Sequence, residues 1–185
     1  MRLTQRAQEL VAQYLSVGMT AVDATAGNGN DTLFLAHCVG PSGLVHAIDI
    51  QEAAIVATRK RINAAGDLPQ VVLHCASHAD WSIILPSEHR SKIDAVMMNL
   101  GYLPSGDQSI TTKLETTIQV IQEAFAWLKP GGIMTIVAYV GHPGGKEECT
   151  SVKMTLLQQL DYEKLLHEEP SREGSNGPVL FWCLR

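Results

Sequence analysis

Residues 23–30 read Asp-Ala-Thr-Ala-Gly-Asn-Gly-Asn, one carboxylate and two glycines within a single short stretch. A short apolar run precedes it and a helix-compatible run follows, the sequence form of a nucleotide-binding first βα turn. Small residues there let the backbone approach a ligand, and the helix N-terminus offers unpaired N–H groups to a carboxylate or phosphate. Asp49 ends the next apolar run, about 20 positions beyond Gly29, where a carboxylate can accept both hydroxyls of a ribose. The same Asp49 could cap the helix that follows it. Gln51 lies beside it, and Ser77 and His78 follow the third apolar run, placed to meet a base; His78 equally suits a satisfied loop histidine.

A dinucleotide turn requires G-x-G-x-x-G, and here Thr32 stands where the third glycine would be. The stretch resembles instead the acidic-x-G-x-G-x-G turn of enzymes that use S-adenosylmethionine (SAM), with Thr25 in place of its first glycine. The candidate cofactor contacts are Asp23, Ala26, Gly27, Asn28, Gly29, Asn30, Asp49, Gln51, Ser77, His78, Asn99 and Leu100. The fourth apolar run ends in Asn99-Leu100-Gly101-Tyr102-Leu103-Pro104, which resembles the N-P-P-Y corner of methyltransferases acting on exocyclic amines. In that motif the Asn side chain and the next carbonyl accept hydrogen bonds from the target nitrogen, and the aromatic ring stacks on the base. Leu100 and Gly101 replace the two prolines, and a strand-to-loop turn with a core tyrosine also fits these residues.

Taken together, DATAGNGNDT, AIDIQ, NLGYLPSGD and YVGHPGG make residues 23–145 similar to one family. It comprises small proteins labelled rRNA methylases (YtqB type) and assigned to tRNA wobble-uridine modification (MnmM type). The resemblance implies a class I SAM-dependent methyltransferase that releases S-adenosylhomocysteine (SAH). It implies methylation of the primary amine of 5-aminomethyl-(2-thio)uridine, with a tRNA anticodon stem-loop as partner. Asn99 and the Leu100 carbonyl would orient the amine, and Tyr102 would stack on the uracil. An alkyl amine is mostly ammonium at neutral pH, so a proton must leave before attack. Asp31, His142 or water would take it. His142 titrates in the right range for a base, or is a loop residue among glycines; Asp31 also suits a helix cap that meets the methionine amino group. Pro104, Lys113 and Lys146 join Tyr102 as candidate substrate contacts, with Arg2 and Arg6 as further candidate phosphate contacts; each cation equally suits a solvated surface.

These residues need a scaffold, and the apolar pattern supplies one. Strand-like runs at 19–24, 43–50, 70–75, 93–99 and 133–139 alternate with helical runs at 31–38, 52–65, 80–85 and 111–127. Continuous apolar strands separated by helices predict a mostly parallel sheet covered on both faces, an α/β Rossmann-like arrangement. Lys129-Pro130-Gly131-Gly132 reads as the break before the fifth strand. After a helix over 146–160, strands at 162–167 and 179–184 flank the polar run PSREGSNGP and predict an antiparallel edge, seven strands in all. The expected organisation is one domain over 1–185: an N-terminal helix in 1–17, the cofactor and catalytic core in 19–145, and a helix with edge strands in 146–185.

Composition narrows the rest. The chain has 185 residues, 45% hydrophobic and 18% charged, with a net charge of −5. That balance opposes a nucleic-acid grip over the whole surface but leaves a local patch open. Arg59-Lys60-Arg61 is the one dense basic cluster, late in a helix where cations favour the dipole. Cys38, Cys75, Cys149 and Cys183 form no C-x-x-C pair, so neither metal ligation nor a disulfide framework is expected. No apolar run reaches the roughly 20 residues that span a bilayer, and residues 1–15 read as an amphipathic helix rather than a signal peptide. A cytoplasmic protein without membrane association is expected, and a homodimer stays open. The rival readings are a SAM enzyme for rRNA adenine or a small-molecule amine, an NAD(P)-dependent oxidoreductase, and a non-catalytic RNA-binding domain.

Overall fold

The structure is a computed structural model that describes residues 2–101, 114–141, 144–160, 166–171 and 177–185. Its centre is a seven-stranded sheet made of β1 (Thr20–Asp23), β2 (Leu44–Asp49), β3 (Val71–Cys75), β4 (Ile93–Leu100), β5 (Leu128–Ala138), β6 (Leu166–Pro170) and β7 (Val179–Leu184). The strand order is β3-β2-β1-β4-β5-β7-β6. The first five strands are parallel, and β7 runs antiparallel to both of its neighbours. Chain direction through the sheet reverses between β1 and β4, the position where open α/β sheets leave a ligand crevice at the carboxyl ends of the strands.

The helices are α1 (Leu3–Val11), α2 (Asn30–Val39), α3 (Glu52–Ala64), α4 (Trp81–Ile84), α5 (Leu114–Trp127) and α6 (Gly145–Gln159), with a 3₁₀ turn at Ser87–His89. Alternation along β4 divides the core in two. Ala95 and Met97 join Leu10 and Val11 of α1 and Leu35 and Val39 of α2. Val96 and Met98 join Val120 and Ile121 of α5 and Val152 and Leu156 of α6 on the other face. Both faces are therefore dry, which is why the central strands lack a polar alternation.

Three boundaries differ from the sequence reading, each for a local reason. Helix α1 stops at Val11, and residues 12–15 continue as hydrogen-bonded turns that bury Leu15 before the chain reverses at Gly18 (φ +90°). Strand β5 begins at Leu128, ahead of the expected break. Leu128 pairs with Ile93, the register shifts, and pairing resumes at Ala95 with Ile133. The intervening Gly131 and Gly132 exchange backbone hydrogen bonds with Arg185, while Lys129 forms an ion pair with Asp94. Strand β6 is described from Leu166 to Pro170, so it extends into the run read as a loop; residues 161–165 lie outside the described residues. His167 on β6 stacks on Trp182 of β7 with centroids 3.7 Å apart, and Arg6 of α1 reaches Glu169 of β6 at 3.1 Å. Among the described residues no helix is long and apolar enough to cross a membrane.

Candidate active site

Strand β1 delivers Asp23 to the crevice fully buried. Its carboxylate accepts the Thr32 hydroxyl at 2.6 Å and the Thr25 amide at 3.2 Å, so the strand end is clamped to the first turn of α2. Burial raises its pKa, and the Asp31 carboxylate pushes the same way. The turn itself is pinned from outside. The Ala26 amide donates to the Ile48 carbonyl at 2.9 Å, the Thr58 hydroxyl to the Gly27 carbonyl at 3.2 Å, and Arg61 Nε to the Asn28 carbonyl at 2.6 Å. Gly29 caps α2 at φ +74°, and a Cβ there would fall 2.9 Å from Thr58 Cα. No side chain fits that position without moving α3.

Asp49, at the end of β2, accepts the Gly27 amide at 2.9 Å through Oδ2 and the Gln51 amide at 2.9 Å through Oδ1. The carboxylate thus sets the shape of the glycine turn and starts α3, whose N-cap is Gln51. Each carboxylate oxygen has two acceptor sites, so one on each remains for a pair of vicinal hydroxyls. Asp49 is therefore not the N-cap expected of it; it accepts the amide of the residue that is.

Across the crevice, Asn99 is the penultimate residue of β4. Its backbone amide donates to Thr25 Oγ1 at 2.7 Å and its side-chain Nδ2 donates to Asp31 Oδ2 at 2.5 Å. Asn99 Oδ1 is buried and has no hydrogen-bond partner among the described residues. A buried amide oxygen left without a donor is costly, which marks it as an acceptor waiting for a ligand N–H. Asp31 is itself nearly buried, and its second oxygen accepts Gln8 Nε2 at 2.6 Å. Burial raises the Asp31 pKa, while the hydrogen bonds from Gln8 and Asn99 oppose the rise. The Leu100 side chain is in the core, and its carbonyl accepts the Tyr139 amide at 3.2 Å.

The remaining residues divide. His78 is half-buried beside the Ala24 carbonyl, and desolvation lowers its pKa. Ser77 Oγ accepts the Ala79 amide at 3.2 Å within its own turn. Asn30 and Lys146 are exposed in the first turns of α2 and α6. Arg2 is exposed, whereas Arg6 is engaged by Glu169 and Glu9. Tyr102, Pro104, Lys113 and His142 lie outside the described residues. Three contributors escaped the sequence reading. Thr25 registered only as a missing glycine, Gln8 as one polar position on an amphipathic helix, and Tyr139 as the end of a strand. Tyr139 is 39% exposed and packs where a Cβ on Gly101 would meet its ring at 3.7 Å. Burial first, and then the Asp31 charge, raise its pKa.

Comparison with known proteins places this geometry in context. A family model described as "Putative rRNA methylase" matches residues 45–182. The chloroplastic tRNA (mnm(5)s(2)U34)-methyltransferase of Arabidopsis thaliana is 39% identical over 160 residues, covering 82% of this chain and 58% of its own length. The chain therefore spans less than two thirds of that relative. A solved structure described as a "putative rRNA-methylase", from Clostridium thermocellum, matches with a TM-score of 0.88 at 37% identity, over 98% of this chain and 96% of its own. A "putative methyltransferase" from Streptococcus mutans, solved in complex with SAH, matches at 0.82 and 29% identity, over 100% and 98% of the two chains.

Proposed function

The chain belongs to the rRNA methylase family and has the class I SAM-dependent methyltransferase fold, and from that footing we propose that it methylates the aminomethyl group of a modified tRNA wobble uridine. The name of the Arabidopsis relative supports this substrate class, and the SAH held by the Streptococcus protein supports the cofactor. The observation that carries the reading is Asn99 Oδ1, at the carboxyl end of β4, a buried acceptor without a donor among the described residues.

The residues present fit SAM. Asp49 retains acceptor sites for the ribose hydroxyls, and Gly27 and Gly29 (φ +52° and +74°) leave the turn free of side-chain bulk. When bound, SAM supplies an electrophilic methyl on a sulfonium. Asn99 does the orienting: with Nδ2 fixed on Asp31, its Oδ1 accepts an N–H of the incoming amine and aims the nitrogen lone pair. Holding amine and methyl in line removes an entropic cost worth up to ~7–11 kcal/mol. Asp31, whose carboxylate holds the Asn99 amide, is the candidate acceptor for the ammonium proton; His142 remains a second candidate. Tyr102 is proposed to stack on the uracil, with Pro104, Lys113 and Lys146 along the RNA path. We further propose a single functional domain over 1–185 and an anticodon stem-loop as the RNA bound.

The test is methyl transfer from labelled SAM to tRNA carrying aminomethyluridine against unmodified tRNA, with product nucleosides identified by mass spectrometry. Product only from the modified tRNA is the expected result; equal labelling of adenine, or of unmodified tRNA, would overturn the substrate assignment. Asn99→Ala is expected to reduce kcat at least tenfold, the scale of one lost hydrogen bond of ~1.5 kcal/mol, with little change in SAM affinity. Weakened SAM binding at unchanged kcat would make Asn99 a cofactor ligand instead.

A further inference from the structure

The crevice contains a polar chain that starts outside the sheet. Gln8 on α1 donates to Asp31 Oδ1 at 2.6 Å, and Asp31 Oδ2 accepts from Asn99 Nδ2 at 2.5 Å. It leaves Asn99 Oδ1 buried and unpartnered among the described residues. These three residues come from α1, α2 and β4, with 23 positions between Gln8 and Asp31 and 68 between Asp31 and Asn99.

We propose that Gln8 is a positioning residue of the methyl-transfer site, which holds Asp31 so that Asp31 keeps the Asn99 amide turned with its oxygen toward substrate. The inference rests on the function proposed above. An asparagine amide has two orientations that differ by exchange of oxygen and nitrogen. While its carboxyl is ionised, Asp31 accepts but cannot donate, so the reversed amide would set oxygen against oxygen. Only the orientation found here is then tolerated, and it leaves Oδ1 without a donor among the described residues. A protonated Asp31 loses this selection, because its O–H could donate to Asn99 Oδ1 and consume the acceptor. Gln8 prevents that in two ways. Its donated hydrogen bond favours the charged carboxylate, and it fixes the side chain so that the second oxygen meets Asn99.

Gln8 has no partner role that packing alone would explain. Its helix is already anchored by Ala7, Leu10 and Val11, all buried, and by the Arg6–Glu169 pair. Among the described residues, the charged and titratable groups that share the Asp31 surroundings are Asp23 on β1, whose pKa the Asp31 charge raises, and Tyr139 after β5, which also feels Arg2.

Gln8→Met keeps the length and apolar volume of the side chain while removing the donor, and Gln8→Glu sets a second carboxylate against Asp31. The measurement is the pH dependence of kcat/KM with aminomethylated tRNA. In both variants the acid limb is expected to move toward neutral pH, further in Gln8→Glu. The loss in mildly acidic buffer should be roughly tenfold, with recovery toward wild type on the alkaline side. In an Asp31→Asn background Gln8→Met is expected to add nothing. A loss of the same size at every pH, or an unshifted limb, would overturn the inference and leave the proposed reaction standing. If wild type transfers no methyl to this tRNA, that reaction fails, and the inference is read instead from the Asn99 side-chain amide signals by NMR. Their pH midpoint should rise in Gln8→Met relative to wild type, and an unchanged midpoint would overturn the inference.

Discussion

Asp49 combines an architectural role with the ribose-binding role proposed for it. Its two oxygens hold the Gly27 and Gln51 amides, so the groups that shape the turn are also those that would face a ribose. Asp49→Ala is expected to weaken SAM binding by about 1.5–3 kcal/mol in calorimetric titration, the range of hydrogen bonds to a charged group. Unchanged affinity would reduce Asp49 to a structural role. Its position was legible in the sequence because a strand end followed by a helix, at a set spacing from a glycine turn, constrains the side chain locally. Thr25 and Gln8 were not legible, since their partners Asn99 and Asp31 lie 74 and 23 positions away. Local pattern carries no information about which remote backbone amide a hydroxyl will meet. Tyr139 was missed for a related reason: an aromatic at a strand end reads as core until the glycine opposite, Gly101, shows the space beside it.

At the scale of elements, the seating of α2 against α3 depends on Gly29. Gly29→Ala meets backbone at 2.9 Å in a left-handed conformation, so both contact and φ oppose it. It is expected to lower stability by more than ~1 kcal/mol in denaturant unfolding and to abolish SAM binding, whereas full SAM affinity would show that the helices can separate. A second element-level feature joins β2, β3 and the 3₁₀ turn. His46 meets His74 at 3.0 Å and His89 at 3.2 Å. Burial, then the two neighbouring rings, lower the His46 pKa to about 4. The unfolded chain binds a proton on this residue near pH 6.5 and the folded chain does not, so this term is neutral above that pH. Its cost grows as pH falls from about 6.5 to about 4, at up to ~1.4 kcal/mol per unit. Asp23, whose pKa is raised, acts in the opposite sense. The His46 contribution is therefore read as a difference: His46→Phe should flatten the fall in Tm between pH 7 and pH 5 relative to wild type, and parallel curves would refute it. Strands β1 to β5 and their helices were readable from apolar runs. The early start of β5 was not, because its Pro-Gly-Gly segment is held by the backbone of Arg185 at the other end of the sequence.

For the molecule as a whole, net charge −5 and the RNA substrate proposed above pull in opposite directions. Binding of that RNA would run through a small set of cations rather than the full surface. Affinity for an anticodon stem-loop is expected to fall with salt along a log–log slope of only a few units, reflecting few phosphate contacts. A slope near zero in filter binding would exclude a phosphate-tracking interface. The seven-stranded, mixed sheet was predictable at this scale because its two late strands break the βαβ rhythm, although their order within the sheet was not.

That order bears on how the protein is made. Among the described elements β7 comes after the other six strands, yet it lies inside the sheet, between β5 and β6. A nascent chain leaving the ribosome would carry β5 with an open hydrogen-bonding edge, and with Phe181 missing from the core, until β7 is translated. Such an edge invites pairing with other chains. Slow synthesis or premature termination near residue 178 should therefore send this protein toward aggregates rather than toward a trimmed but working enzyme.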